Sequence, residues 1–402
     1  MSGLRRRGMP VASASSPAGE QAPLVSAIAC PDYDLDRVRE ALRAVLAPLG
    51  GMERFVRPGQ RVLLKPNLLS ARPPEDAVTT HPALVRAVAE AVLQAGGEPF
   101  IGDAPGALNT RARLEKVYTR SGLLQVAQTL GLPLNYEMDT VEWTFPEGRW
   151  LRRVPVWRAA AEADVLINLP KLKTHNLVGL TGAVKNCFGL IPSPHKTYLH
   201  MRWPRPDQFS EMLLDLYLRA RPALHILDAV LAMEGDGPSA GDPRHVGALL
   251  ASTDGLACDV AMAALVGHPP HRVTTTAAAI RRGLTEGHVE ALRWAGTPLS
   301  DLRVRNFRPS VVWITNSPVA LWILGQAGRL TAARPEMTEA CIGCGICADN
   351  CPAEAITISN GRARVDRGKC IHCFCCHELC PQQAVEVHRP RLGDWIVRLF
   401  SR

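Results

Sequence analysis

From Pro23 to about Pro309 the chain alternates short apolar runs with longer stretches in which apolar positions recur every three to four residues. A continuous run suits a strand buried on both faces, and the three-to-four spacing suits a helix with one apolar stripe. Leu24 to Ala29 precedes the amphipathic stretch Asp36 to Leu46, and Arg61 to Leu64 precedes Ala83 to Gln94, entered through His81-Pro82. Each pair predicts a strand followed by a helix. Glu98 to Gly102, Asp164 to Leu169, Leu224 to Leu227 and Val246 to Ala251 predict further strands, several ending in polar or glycine-rich turns. The alternation predicts an α/β domain with a mostly parallel sheet. In such sheets the loops beyond the carboxyl ends of the strands form the ligand crevice.

The pattern fails at both ends. Residues 1 to 22 follow Arg5, Arg6 and Arg7 with Ala, Ser and Pro and lack the apolar run of an export signal, so a flexible tail is expected. The α/β domain then spans residues 23 to 330, a linker spans 331 to 338, a small α+β unit spans 339 to 388, and a second tail closes the chain at 389 to 402. Val311 to Leu324 is strongly apolar but interrupted by Asn316, Ser317 and Pro318. It falls short of the roughly 20 residues that span a bilayer. A cytoplasmic chain without a membrane span is expected.

Composition alters this picture little. With 402 residues and 47% hydrophobic content, the chain has ample material for a large core. The net charge of +8 raises the question of a nucleic-acid partner, yet beyond the first arginines the basic residues are dispersed. No finger, winged-helix or aromatic stacking motif accompanies them, so no nucleic-acid partner is expected.

Cysteine placement changes the picture sharply. Nine of the twelve cysteines lie between Cys341 and Cys380. Cys341, Cys344, Cys347 and Cys351-Pro352 form C-x2-C-x2-C-x3-C-P, and Cys370, Cys373, Cys376 and Cys380-Pro381 repeat it. Three thiolates at this spacing wrap one iron–sulfur cubane while the fourth reaches across to the other. The expected ligand sets for two [4Fe–4S] clusters are therefore Cys341, Cys344, Cys347 with Cys380, and Cys370, Cys373, Cys376 with Cys351. Two zinc sites are the alternative, but a zinc ribbon uses C-x2-C pairs without the third cysteine and trailing proline. Cys375 has no ligand slot and reads as packing beside a cluster.

The lysines form a second concentration. The chain holds seven lysines against thirty-nine arginines, and five of the seven are Lys65, Lys171, Lys173, Lys185 and Lys196. Each lies in a loop-like segment after a predicted strand, where a compact ammonium offers a point charge or a tunable pKa. Asn168 to His200 packs four of them with His175, His195 and His200 and several glycines. This segment suits an anion held by lysines and loop amides, or a metal held by the histidines. Lys65, Asn67 and Asp103 follow strands and are expected at the same crevice, with Asn186 nearby. Asp228 leads to Gly235-Asp236-Gly237, a turn that lets backbone approach a ligand. Asp254 reads as a helix N-cap and Cys187 as packing.

Residues Glu339 to about His388 resemble the bacterial two-cluster ferredoxins, which implies a low-potential one-electron carrier. LLKPNLL at 63 to 69, THP at 80 to 82, GDAPG at 102 to 106, INLPKLKTH at 167 to 175, LTGAVKN at 180 to 186 and DAVLAMEGDGP at 228 to 238 resemble the family called domain of unknown function 362. That resemblance covers roughly residues 24 to 309, and the family frequently carries a ferredoxin-like extension. Some members carry an export signal, from which this chain departs.

The expected function is electron transfer between two [4Fe–4S] clusters and a small anionic substrate or cofactor. The expected catalytic groups are Lys171, Lys173, His175, Lys185 and His200, with His175 or His200 relaying protons. Lys65, Asn67, Asp103, Asn186, Lys196, Asp228, Gly235 and Gly237 are the expected binding residues. One alternative is a non-catalytic electron carrier or assembly factor that binds a redox partner protein through the α/β domain. The other is a metal-site enzyme using His175, His195 and His200. The sequence leaves the oligomeric state open.

Overall fold

The computed structural model describes residues 21–106, 109–193, 195–310 and 334–388. Nearly all of the expected N-terminal tail, the apolar segment Val311 to Leu324, the start of the expected linker and the C-terminal tail lie outside the described residues.

The strands of the large unit run in chain order as β1 (Leu24–Ala29), β2 (Arg61–Pro66), β3 (Glu98–Ile101), the hairpin β4 (Thr140–Thr144) and β5 (Arg153–Trp157), then β6 (Val165–Leu169), β7 (Lys171–His175) and β8 (Gly179–Thr181). β9 (Leu224–Glu234), β10 (Asp242–Ser252) and β11 (Arg293–Gly296) complete them. A nine-stranded sheet has the order β11-β1-β10-β9-β6-β2-β3, with β7 attached to β9 and β8 to β7. β9, β6, β2 and β3 are parallel neighbours, while β10 is antiparallel to both β1 and β9. The sheet is thus mixed and mostly parallel, as the alternating pattern predicts.

Both faces are covered. Helices Leu35–Leu46 and Pro82–Gln94 pack the apolar side chains of β2 and β6 on one face. Helices Pro206–Ala220 and Thr274–Arg281 close the other, around Trp157 and Phe209. Burial on two faces is why VLLKP and VLINL read as unbroken runs. The entry to Pro82–Gln94 has a local cause: the His81 ring accepts the Ala83 N–H at 3.1 Å, and Pro82 needs no donor partner. Asp254 caps Gly255–Leu265 by accepting the Leu256 and Ala257 N–H groups, as its position predicts.

Two expectations change. β9 and β10 are eleven residues each, far longer than the apolar runs suggest, because they continue as one antiparallel hairpin beyond the sheet centre. The second half of the expected linker is also a strand: β12 (Arg334–Met337) pairs antiparallel with β15 (Val385–His388). It closes the small unit by joining its two ends. A hairpin of β13 (Ile356–Ser359) and β14 (Arg362–Val365) and short helices Ile346–Asp349 and Cys375–Leu379 complete that unit. Among the described residues no helix is long and apolar enough to cross a membrane.

Candidate functional site

The parallel strands β2 and β6 end in Pro66 and Leu169, so the lysines before and after these points arrive at one edge of the sheet. They do not arrive in one state. Lys65 is fully buried and its Nζ lies 2.9 Å from Oδ1 of Asp103. The Asp103 carboxylate also accepts the Leu68 and Ala104 N–H groups. Gly189 closes over this pair so tightly that a Cβ there would stand 1.7 Å from the Asp103 oxygen.

Lys171 is equally buried, 2.9 Å from Oδ2 of Asp228, and donates to the Tyr33 hydroxyl at 2.8 Å. Tyr33 in turn donates to Oδ1 of Asp228 at 2.6 Å, and the His81 N–H donates to Oδ2 at 2.9 Å. Burial pushes the Asp228 carboxyl up, but the Lys171 charge and these hydrogen bonds more than offset it and hold the group below its ordinary value. Asn67, Asn186 and Asn168 form a ladder: Nδ2 of Asn67 donates to Asn186 at 2.9 Å, and Nδ2 of Asn186 donates to Asn168 at 2.8 Å. Lys65, Lys171, Asp103, Asp228 and this ladder tie the strand ends together, so their polar groups serve the fold first.

Lys173, also buried, donates to the Val78 carbonyl at 2.7 Å. Burial, with the Lys185 charge adding to it, pushes its pKa down to about 7.

Lys185 and Lys196 differ. They line a cavity of about 70 Å³ with Asn67, His200 and Phe188, closed on the far side by Cys375 and Glu378 of the small unit. Asp259 accepts the Ala183 and Val184 N–H groups at 2.5 and 3.2 Å and so fixes the short helix Ala183–Asn186 that carries Lys185. The Lys185 ammonium stands 4.9 Å from the Phe188 ring centre and makes no ion pair among the described residues; burial pushes its pKa down, against the opposing pull of the Glu378 charge. Lys196, on helix His195–Arg202, donates to the Ala104 carbonyl. Burial is the main cause that pushes its pKa down to about 7.

The histidines expected to carry protons are poorly suited to it. His200 stacks on Phe209, and burial pushes its pKa down to about 3. His175 accepts the Leu177 N–H at Nδ1, so its proton sits on Nε2, 3.4 Å from Oε1 of Glu378. It stands behind the cavity rather than in it. His195 is exposed. Among the described residues no group of three or more His, Cys, Asp or Glu side chains could hold a single metal ion, so the three-histidine metal site does not form.

Gly235 and Gly237 also differ from expectation. Their turn faces the small unit: His377 Nε2 meets the Asp236 carbonyl at 3.0 Å, Ser239 donates to the His377 carbonyl at 3.3 Å, and Gln383 donates to the Ser239 carbonyl at 3.2 Å. The tight turn docks one unit on the other. Glu378 and Cys375 were not legible as site residues, because they enter the cavity only through this docking.

In the small unit the cysteines gather as two quartets. Cys341, Cys344, Cys347 and Cys380 line one hollow of about 20 Å³, and Cys351, Cys370, Cys373 and Cys376 line another of the same size. Backbone N–H groups of Ala363, Ala355 and Ala384 point at the sulfurs of Cys341, Cys351 and Cys380 at 3.2 to 3.4 Å. Burial pushes Cys347 up to about 11, and the neighbouring thiolates push it the same way. Four crowded thiolates need cationic metal to be stable as anions, and N–H donors to sulfur are the surroundings of an iron–sulfur cluster. The residues present fit that group. Cys375 packs beside them, buried, and Cys187 is buried with its thiol pushed up to about 12.

The family model for the domain of unknown function 362, DUF362, matches residues 62–264, and that for a 4Fe-4S dicluster domain matches residues 336–381. A thylakoid-associated protein of Synechocystis sp. is 40% identical over 267 residues, covering 65% of this chain and 79% of its own length. Among solved structures, the lactate racemase apoprotein of Thermoanaerobacterium thermosaccharolyticum is 14% identical with a TM-score of 0.37, over 58% of this chain and 55% of that one. A Thermotoga maritima protein is 12% identical with a TM-score of 0.33, over 55% of this chain and 56% of that one. This chain spans little more than half the length of either solved structure.

Proposed function

The chain belongs to the DUF362 family and carries a 4Fe-4S dicluster domain, and from that premise we propose that it transfers low-potential electrons to or from a small anion held between its two units. The observation that carries this reading is the cavity in which Lys185, without an ion pair, and Lys196 face Cys375 and Glu378. Two [4Fe–4S] clusters, held by the two cysteine quartets, would supply single electrons at low potential. The chain's own residues do the rest.

Lys185 neutralises the anion, and Phe188 and His200 wall the cavity. At about 70 Å³ the space holds roughly five water-sized groups. That suits a carboxylate or phosphate-sized ion, or the anionic end of a larger molecule. Lys196, pushed down to about 7, is the group suited to hand over the proton that accompanies an electron, since a general acid works best near the working pH. That task moves from the histidines to a lysine. Lys65, Lys171 and Lys173 hold the frame.

A carrier that docks a redox partner protein is the second reading, favoured by the exposed Cys344 and by Ile342, which is 63% exposed beside it. The two readings separate in one experiment on anaerobically purified full-length protein. Iron and sulfide should each approach about eight per chain, with interacting cluster signals in electron paramagnetic resonance after dithionite. Phosphate, acetate or oxalate should then shift a reduction midpoint, and Lys185→Ala should raise the anion concentration needed for that shift about tenfold. Indifference to all three anions favours the carrier, and zinc in place of iron removes both readings.

A further inference from the structure

A second and larger cavity, of about 500 Å³, opens on another side of the junction between the units. It shares only Leu69 and Leu379 with the lysine cavity. Its apolar walls are Leu69, Val117, Ile346 and Leu379, the last two from the backbone segments that carry Cys347 and Cys380. The volume lies within the range of small-molecule sites, which are mostly apolar with a few placed polar groups.

The charged groups here are of one sign. Arg72, Arg113, Lys116 and Arg120 line the cavity, and no carboxylate lines it among the described residues. Arg113, Lys116, Val117 and Arg120 fall at spacings of three and four on helix Arg111–Arg120, so three cations share the face turned to the cavity. Like charges at these spacings destabilise a helix, and nothing anionic in the lining relieves them. Among the described residues, Arg72 has one long ion pair, to Asp76 at 3.4 Å, and its Nη2 lacks a partner. Nη1 of Arg113 is likewise buried without one among those residues. Unsatisfied cationic donors beside an apolar floor cost stability, and an anion with an apolar body relieves both costs.

We propose that this cavity binds an amphipathic anion, a carboxylate or phosphate head on an apolar chain, with the head against Arg113, Lys116 and Arg120 and the chain against Val117, Ile346 and Leu379. The head could come from a fatty acid or from a phosphorylated alcohol. The apolar body then lies against the loops of the first cysteine quartet, on the side away from Lys185. The site is independent of the electron-transfer reading.

Isothermal titration calorimetry of the anaerobic full-length protein with octanoate, octyl phosphate and octan-1-ol tests this. At least one of the two anions should fill, besides any binding at the lysine cavity, one further site per chain, about tenfold tighter than the alcohol does, the worth of a charge-assisted contact. Whichever anion binds tighter identifies the head group. The double variant Arg113→Glu, Lys116→Glu should bring the anion down to the affinity of the alcohol, while Lys185→Ala leaves it unchanged. Should the double variant not fold, Arg120→Glu, on an exposed residue, carries the same test. Equal binding of anion and alcohol, no binding of either anion, or indifference to charge reversal overturns the proposal. Loss of binding in Lys185→Ala would place the ligand in the other cavity and overturn it as well.

Discussion

Lys171 and Lys185 come from the same lysine-rich stretch and end in opposite situations. Lys171 meets Asp228, both fully buried, with the Tyr33 hydroxyl bridging them, whereas Lys185 meets a ring face and a cavity. A buried charge with its partner supplied by the chain is committed to the fold. One that makes no ion pair among the described residues is left for something the chain does not contain. The difference separates lysines that look interchangeable in sequence into structural and ligand-facing groups.

The sharpest way to break this comparison is to remove the partner on the closed side. Asp228→Ala strands the Lys171 ammonium and should destabilise the protein by about 3–5 kcal/mol, seen in chemical denaturation followed by circular dichroism. Because the Asp228 carboxyl is held below its ordinary value, its contribution is present above about pH 3.9 and is lost as pH falls through the folded value. The penalty of the variant should therefore shrink in acid. A change near zero at pH 7 would show that the network does not stabilise the fold.

Lys185→Ala is the counterpart. It should weaken binding of the anion that shifts the cluster potential by about tenfold, the loss of one charge-assisted contact. Stability should fall by less than in Asp228→Ala, since Lys185 makes no ion pair among the described residues and the buried Glu378 keeps the charges of Lys173 and Lys196 nearby. A large loss of stability with anion binding intact would reverse the roles of the two lysines.

A third test uses protons. Lys196 is pushed down to about 7, against about 10.4 in an unfolded chain. Between these values the unfolded chain binds more protons, so stability rises with pH across that window. Lys196→Met should be more stable than the parent at pH 7, and the advantage should fade toward pH 10. Anion binding near pH 7.5 should also take up protons, measured by calorimetry in buffers of different ionisation enthalpy. Uptake that persists in the Met variant would assign it to another group.

The smallest effect concerns the contact that makes the cavity. Ser239→Ala removes one hydrogen bond to the His377 carbonyl and should cost about 0.5–1.5 kcal/mol. It should speed limited proteolysis between the units while leaving each quartet's iron content unchanged. Loss of iron would mean that docking and cluster binding are one event.

The elements were largely legible. The strand at Leu24–Ala29, the helix entered at His81-Pro82 and the cap at Asp254 each follow from signals within a few residues. The site was legible only in part. Lys185 and Lys196 stood among the expected residues, but nothing separated them from Lys65 and Lys171. Gly235 and Gly237 suggested a ligand turn and form a docking turn, because a sharp backbone approach looks the same in sequence whichever surface it meets.

By itself, the sequence determined the alternation of strand and helix, the mostly parallel sheet and the spacing of two cysteine quartets. All three are set by periodicities and short-range geometry. Only the tertiary structure decided which lysines are neutralised, which histidines are too deeply buried to charge, and that Glu378 faces Lys185. Lys171 and Asp228 are 57 positions apart in the chain, and His175 and Glu378 belong to different units. Coulomb energy and desolvation depend on distance and surroundings in space, and neither is written in any local stretch of the chain.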